Sequence, residues 1–217
     1  MDKITTKDMA NIIDIMADII IENEVHFCKM DSAAGDGDFG MSLAKGFKQL
    51  KKDWDELDFD DIGAFLKSCS MVIMEYCGGA SGPIWGSGFR GAAKSAKGKE
   101  EIGLSELAEM MQAAVESIQK TGERSFGVGA KVGDKTLIDA LAPAADSLTA
   151  SAEAGEELLP AMKKAAQAAV QGAEKTKEIP ARLGRAGTVG DRSIGHPDAG
   201  AYGVGVIFTG IVERLSK

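Results

Sequence analysis

Three aspartates crowd one short segment, Asp31-Ser-Ala-Ala-Gly-Asp36-Gly-Asp38-Phe-Gly40. Carboxylates held this close on a glycine-rich loop repel one another unless a cation sits among them. Oxygen ligands alone, with no His or Cys inside the cluster, suit a hard cation such as Mg²⁺ or Ca²⁺. An EF-hand is excluded, because a loop begun at Asp36 puts Phe47 where position twelve requires a bidentate Glu. Mg²⁺ is usually held by a few carboxylates plus substrate phosphates, so the loop points to nucleotide chemistry. An acidic turn that merely caps a helix would be spelled with the same residues.

Glycine loops supply the matching phosphate chemistry. Gly78-Gly-Ala80-Ser81-Gly-Pro83 feeds a helix start, where small residues and free N–H groups admit an anion. Gly133-Asp134-Lys135-Thr136-Leu137 precedes another helix and offers Asp or Thr caps beside a cation. Arg182, Arg185 and Arg192 gather in an otherwise acidic chain, which suits phosphate binding, although Arg192 pairing with Asp191 or a helix end is an equal reading. Asp198 is expected to cap the last helix. His196 reads equally as a structural hydrogen-bonder or a site residue, and His26 receives no role. Two stretches fit G-x-G-x-x-G, Gly35 to Gly40 and Gly86 to Gly91. Neither follows a strand-like run or sits in a βαβ unit, so the dinucleotide reading fails. Gly86 to Gly91 also begins like a Walker A, but Ala92 stands where Lys is required.

Helices must position these loops. Met9, Ile12, Ile13, Met16 and Ile19 or Ile20 form one apolar stripe, opened by Thr5 or Thr6 as N-cap. Leu104, Leu107, Met111, Val115 and Ile118 form a second; Val204, Ile207, Phe208, Ile211, Val212 and Leu215 form a third. Segments near 41–52, 61–76, 84–97, 135–149 and 157–176 are rich in Ala, Leu, Met and Lys, all good helix formers. Strand-type alternation is nearly absent. The expectation is all-α: about eight antiparallel amphipathic helices, with the Met and Ile stripes as core. The acidic run Asp53 to Asp61 reads as a solvated loop and helix start.

The 217 residues are 44% hydrophobic, ample for a core, and no Pro- or Ser-rich linker divides them, so residues 1–217 read as a single domain. A net charge of −8 argues against nucleic acid. Asp8, Asp14 and Asp18 interrupt the apolar residues near the N-terminus, which is therefore neither a signal peptide nor a membrane span. Cys28, Cys69 and Cys77 are odd in number and lack metal-ligand spacing. On one helix, Cys69 and Cys77 would stand roughly 12 Å apart, too far for a disulfide. The chain reads as reduced, soluble and cytoplasmic.

Four segments, in order, resemble the nucleotide-binding L subunit of dihydroxyacetone kinase and the homologous C-terminal domain of single-chain, ATP-dependent dihydroxyacetone kinases. They are Gly35-Asp-Gly-Asp-x-Gly40, Gly78-Gly-Ala-Ser-Gly-Pro83, Gly133-Asp-Lys-Thr136, and Gly184-Arg-Ala186 through Arg192-Ser-Ile-Gly-His196. The resemblance implies an eight-helix barrel-like bundle with nucleotide across one end. It implies that Asp31, Asp36 and Asp38 hold two Mg²⁺ ions bridging the phosphates of ADP or ATP. Phe39, Gly40, Met41, Ser42, Ala80 and Ser81 would line the phosphates and nucleoside, and Leu137, where the family often has Met, would contact the base. Arg185 and the Asp198-Ala199-Gly200 turn would close the site, and a further family glycine falls at Gly127 or Gly129.

The same resemblance implies partners: a dihydroxyacetone-binding subunit and a phosphohistidine donor protein of the phosphotransferase system, which recharges resident ADP. No residue of this chain is then expected to carry the phosphoryl group or act as acid or base; catalysis is positioning and charge neutralisation. Alternatives are an ATP-dependent subunit for another short ketose and a non-catalytic nucleotide-binding regulator. Departures from the family pattern are Phe39 for a usual His, Ser42 for Asn, Thr188-Val-Gly-Asp191 for Ser-Tyr-Leu-Gly-Glu, and Ala199 for Pro.

Overall fold

The computed structural model describes residues 2–184 and 186–217, apart from the Phe126 side chain. Its α-helices are α1 Thr6–Glu22, α2 Glu24–Asp31, α3 Phe39–Lys52, α4 Ile62–Tyr76, α5 Ser81–Ser95, α6 Leu104–Phe126, α7 Ile138–Glu153, α8 Leu158–Lys175 and α9 Ala199–Leu215. The capping chemistry explains several of the boundaries. Thr5 Oγ1 accepts the Asp8 N–H while the Asp8 carboxylate accepts the Thr5 N–H at 3.0 Å, a reciprocal box that makes Thr5 the N-cap of α1. Asp61 and Asp198 cap α4 and α9, accepting the N–H of Ala64 at 2.9 Å and of Ala201 at 2.7 Å. Each such cap is worth about 1 kcal/mol.

The helices pack in a ring. From α4 to α9 each packs on its sequence neighbour, and α1 closes the circle by touching both α9 and α3. The stripes read from the sequence face inward: Met9, Ile12, Ile13, Met16, Leu107, Ile118, Val204 and Ile211 are all buried. Apolar side chains line a central cavity of about 180 Å³. Nine α-helices are described where about eight were expected; the additional one is α2, set off from α1 at Asn23, whose side chain bonds the Ile19 carbonyl at 2.8 Å. Helix α2 escaped the pattern because it has no clean stripe: Phe27 is buried while Val25 is 80% exposed.

A two-residue antiparallel pairing, β1 Ile4–Thr5 with β2 Glu101–Ile102, ties the start of the chain to the α5–α6 link. Because α2 carries on from α1 through Asn23 and the helices from α2 to α9 alternate in direction, the α2–α3, α4–α5, α6–α7 and α8–α9 links share one end of the ring. The β-pairing marks the other. Buried Cys69 and Cys77 serve as packing groups, and burial pushes the Cys77 thiol up to about 12.

Candidate functional site

All four sequence motifs fall in links at the same end. In the first, Asp31 closes α2, and its Oδ2 accepts the N–H of Gly37 at 2.9 Å, Asp38 at 3.1 Å and Phe39 at 3.3 Å. The loop therefore wraps back on a carboxylate, which fixes Asp36 and Asp38 beside it. One carboxylate oxygen from each of Asp31, Asp36 and Asp38 lies within 4.8 Å of the others. Three convergent, oxygen-only ligands fit a hard divalent cation that keeps its remaining positions for water or phosphate.

Helix α3 starts directly from this loop, with Asp38 as a cap residue whose side chain makes no cap bond. Gly40 lies against Glu24 and Cys28 of α2, and a Cβ there would stand 2.8 Å from the Cys28 nitrogen. Met41, 57% exposed, donates its N–H to Cys28 Sγ at 3.2 Å. The second link docks on α3, because Gly78 N–H donates to the Ser42 carbonyl at 3.0 Å. Ala80 then opens α5 with no side-chain cap, and Ser81 is its first residue. The starts of α3 and α5 turn their positive ends toward the three carboxylates, which suits an anion beside their cation, while the N–H groups of Phe39, Met41, Ser42 and Ser81 are already engaged by Asp31 Oδ2, Cys28 Sγ and the carbonyls of Asp38 and Gly78.

Phe39 contributes its N–H to Asp31, but its ring lies 5.8 Å from that of Phe27 and against Gly203 of α9. It fills the joint between α2, α3 and α9. In the third link, Gly127 ends α6 at φ 77°, and Gly129 packs on Gln119 of that helix. Leu137 opens α7 and meets Gly200 of α9: a Cβ on that glycine would stand 3.2 Å from Leu137 Cβ. Ala199 is the first residue of α9.

The Asp198 N–H donates to Thr176 Oγ1 at 2.8 Å. Burial pushes its carboxyl up to about 7; the Ala201 cap bond opposes this, and the charges of Asp139 and Asp31 reinforce it. Arg182 is paired with Asp134 at 3.9 Å, Arg192 is exposed, and Arg185 lies outside the described residues. The His196 side chain is exposed, while its carbonyl accepts from Lys135 at 2.8 Å.

Two features had no strong sequence signal. Lys135 is buried to 1% exposure at φ 60°, a left-handed conformation that costs an L residue roughly 1–2 kcal/mol. The Gly-Asp-Lys-Thr spelling marked a cation but not its burial. His26 bonds Tyr202 Oη at 3.0 Å, bridging α2 to α9, across a sequence distance no local pattern spans.

A helical ring with an oxygen-only acid loop and two helix starts at one end has the chemistry to hold a phosphorylated ligand through a hard cation. The chain belongs to the DAK2 domain family, whose profile matches residues 33–213. It is 34% identical over 192 residues, 88% of each chain, to the ADP-binding subunit DhaL of PEP-dependent dihydroxyacetone kinase 1 of Listeria innocua. It is 33% identical over 187 residues, 86% of each chain, to the corresponding subunit of Escherichia coli. The crystal structure of the dihydroxyacetone kinase of C. freundii superposes with a TM-score of 0.73 at 23% identity, covering 95% of this chain and 34% of that one. A second crystal structure of that kinase, in complex with AMP-PNP and Mg²⁺, gives 0.70. At that identity the likeness speaks for the fold.

Proposed function

We propose that this chain is the nucleotide-binding subunit of a dihydroxyacetone kinase, with residues 1–217 forming one such domain. It holds ADP or ATP and passes a phosphoryl group to dihydroxyacetone bound on a partner subunit. The observation that carries the reading is the convergence of Asp31, Asp36 and Asp38 beside the starts of α3 and α5. Identities of 34% and 33% to two DhaL subunits support the nucleotide-binding reading.

In this reading the three aspartates would hold two Mg²⁺ ions, which would supply positive charge against the phosphates. Residues 39–42 and 80–81 line the phosphates and nucleoside, and Leu137 lies under the base. The Asp198-Ala199-Gly200 turn and Arg185 close the far side, with Gly127 or Gly129 beside the nucleoside. No side chain of this subunit acts as acid or base; its contribution is position and charge. A phosphohistidine protein of the phosphotransferase system recharges resident ADP, and the work takes place in the cytoplasm. Among the described residues no helix is long and apolar enough to cross a membrane, in keeping with that location.

The test is the nucleotide content of protein purified in Mg²⁺ and extensively dialysed. Near-stoichiometric ADP is expected. An empty protein that binds ATP reversibly would replace the phosphoprotein donor with free ATP and favour a subunit serving another short ketose. Failure to bind either nucleotide would overturn the enzymatic reading.

A further inference from the structure

Lys135, in the turn between α6 and α7, directs its Nζ at three backbone carbonyls: Ile179 at 3.1 Å, Ser193 at 2.7 Å and His196 at 2.8 Å. An ammonium has three N–H groups, so these acceptors take its whole donor set. They come from both halves of the 176–198 connection, which joins α8 to α9 through three 3-10 turns, Thr176–Glu178, Ala186–Thr188 and Gly190–Ser193. Within the connection the Ala181 N–H donates to Ser193 Oγ and the Gly195 N–H to the Lys177 carbonyl, each at 2.8 Å, and the Lys135 ammonium adds three bonds from outside it. The lysine is held in place in turn. Asp139, 4% exposed, accepts the N–H of Gly133 at 2.6 Å and of Thr136 at 2.8 Å, which shapes the turn around residue 135. The positive φ of Lys135 is a conformation that persists only where the surroundings enforce it.

We infer that Lys135 is a positioning residue whose ammonium pins the 176–198 connection beside the acid loop and so sets how tightly the site closes on a nucleoside phosphate. This rests on the nucleotide reading above. The side chain does not itself touch the ligand, because its three donors are already engaged. A neutral replacement cannot reproduce the arrangement: Gln offers two donors in one plane, and Met none. Arg does not substitute either, since its flat fork spreads donors that here must converge.

The experiment compares the wild-type chain with Lys135→Gly and Lys135→Met for binding and release of Mg-ADP, with amide exchange mapped in parallel. Lys135→Gly accepts the positive φ, so it separates loss of the ammonium from backbone strain. Release at least about tenfold faster, with association within about twofold of wild type, is expected in both variants. Faster amide exchange should be confined to 176–198. A role in stability alone would lower the melting temperature and leave release from the folded protein unchanged; that outcome overturns the inference. A wild-type chain that binds no Mg-ADP would sink the nucleotide reading and this inference together, whereas binding with unaltered release in the variants sinks the inference alone. Should both variants fail to fold, amine acetylation of the wild type decides. Lys135 should react at least about tenfold more slowly than exposed Lys131, and more slowly still with Mg-ADP bound. Equal reactivity of the two lysines, or no response of Lys135 to Mg-ADP, overturns it.

Discussion

Residues 35–40 and 86–91 carry the same glycine spacing, yet the first bends round a cluster of carboxylates while the second lies wholly inside α5, wedged between α4 and α6. In α5 the space a side chain would need is taken by neighbouring helices. A Cβ on Gly91 would collide with the Ala113 carbonyl and stand 2.7 Å from Ser117 Cβ, and one on Gly86 would come 2.9 Å from Met74 Cβ. In the loop, a Cβ on Gly35 would strike the Asp31 carboxylate. The spacing reports only that something comes close. Whether that neighbour is another helix or a ligand-bearing carboxylate separates a packing seam from a binding site.

The comparison breaks most visibly at Gly91. Gly91→Ala must part α5 from a backbone carbonyl that cannot swing aside, so it should cost about 1–3 kcal/mol after the gain in helix propensity. Calorimetry should register a melting temperature roughly 3–10 °C lower, with Mg-ADP affinity of the folded protein preserved. Gly35→Ala should reverse those readouts. By displacing the Asp31 carboxylate it should weaken Mg-ADP binding about tenfold, equivalent to about 1.4 kcal/mol, and move the melting temperature little. Intact affinity there would mean that the loop does not hold the cation through Asp31.

Charge distinguishes the two regions as well. An acid with a raised folded pKa is protonated more readily in the folded state, so folding loses support as pH rises from near 4 to about 7. Asp198→Asn keeps a cap acceptor and removes that titration. In the absence of metal and nucleotide, wild type should lose roughly 2–5 °C more than Asp198→Asn between pH 5 and 7.5. Parallel curves would refute the assignment. The smallest effect belongs to Gly88→Ala, whose Cβ would meet only the movable end of Ile118 at 3.1 Å. Helix propensity offsets that contact, and the melting temperature should stay within about 2 °C.

Much of this architecture was legible in the sequence because its causes are local. Helical stripes, a cap at Thr5 or Thr6, the acidic helix start that ends at Asp61, the Asp198 cap, and the spacing of Asp31, Asp36 and Asp38 each depend on residues a turn or a loop apart. What escaped depends on contacts across the ring. Helix α2 has only Phe27 fully buried, so no periodicity announced it. The Phe39 ring reads in sequence as a neighbour of the acid loop, and only the closeness of Gly203 shows it filling a joint between helices. The burial of Lys135 depends on carbonyls 44 to 61 residues away.

The β1–β2 pairing places the first residues of the chain beside the α5–α6 link, and α9 runs from Asp198 at the acid loop toward that same remote end. The described ends of the chain, β1 and the last turn of α9, thus lie on the side opposite the aspartates, separated from them by about 25 Å, the length of a 17-residue helix. Anchored to a sensor surface by either terminus, the molecule would present its acid loop outward to solution, oriented for measuring the capture of nucleotides or partner subunits.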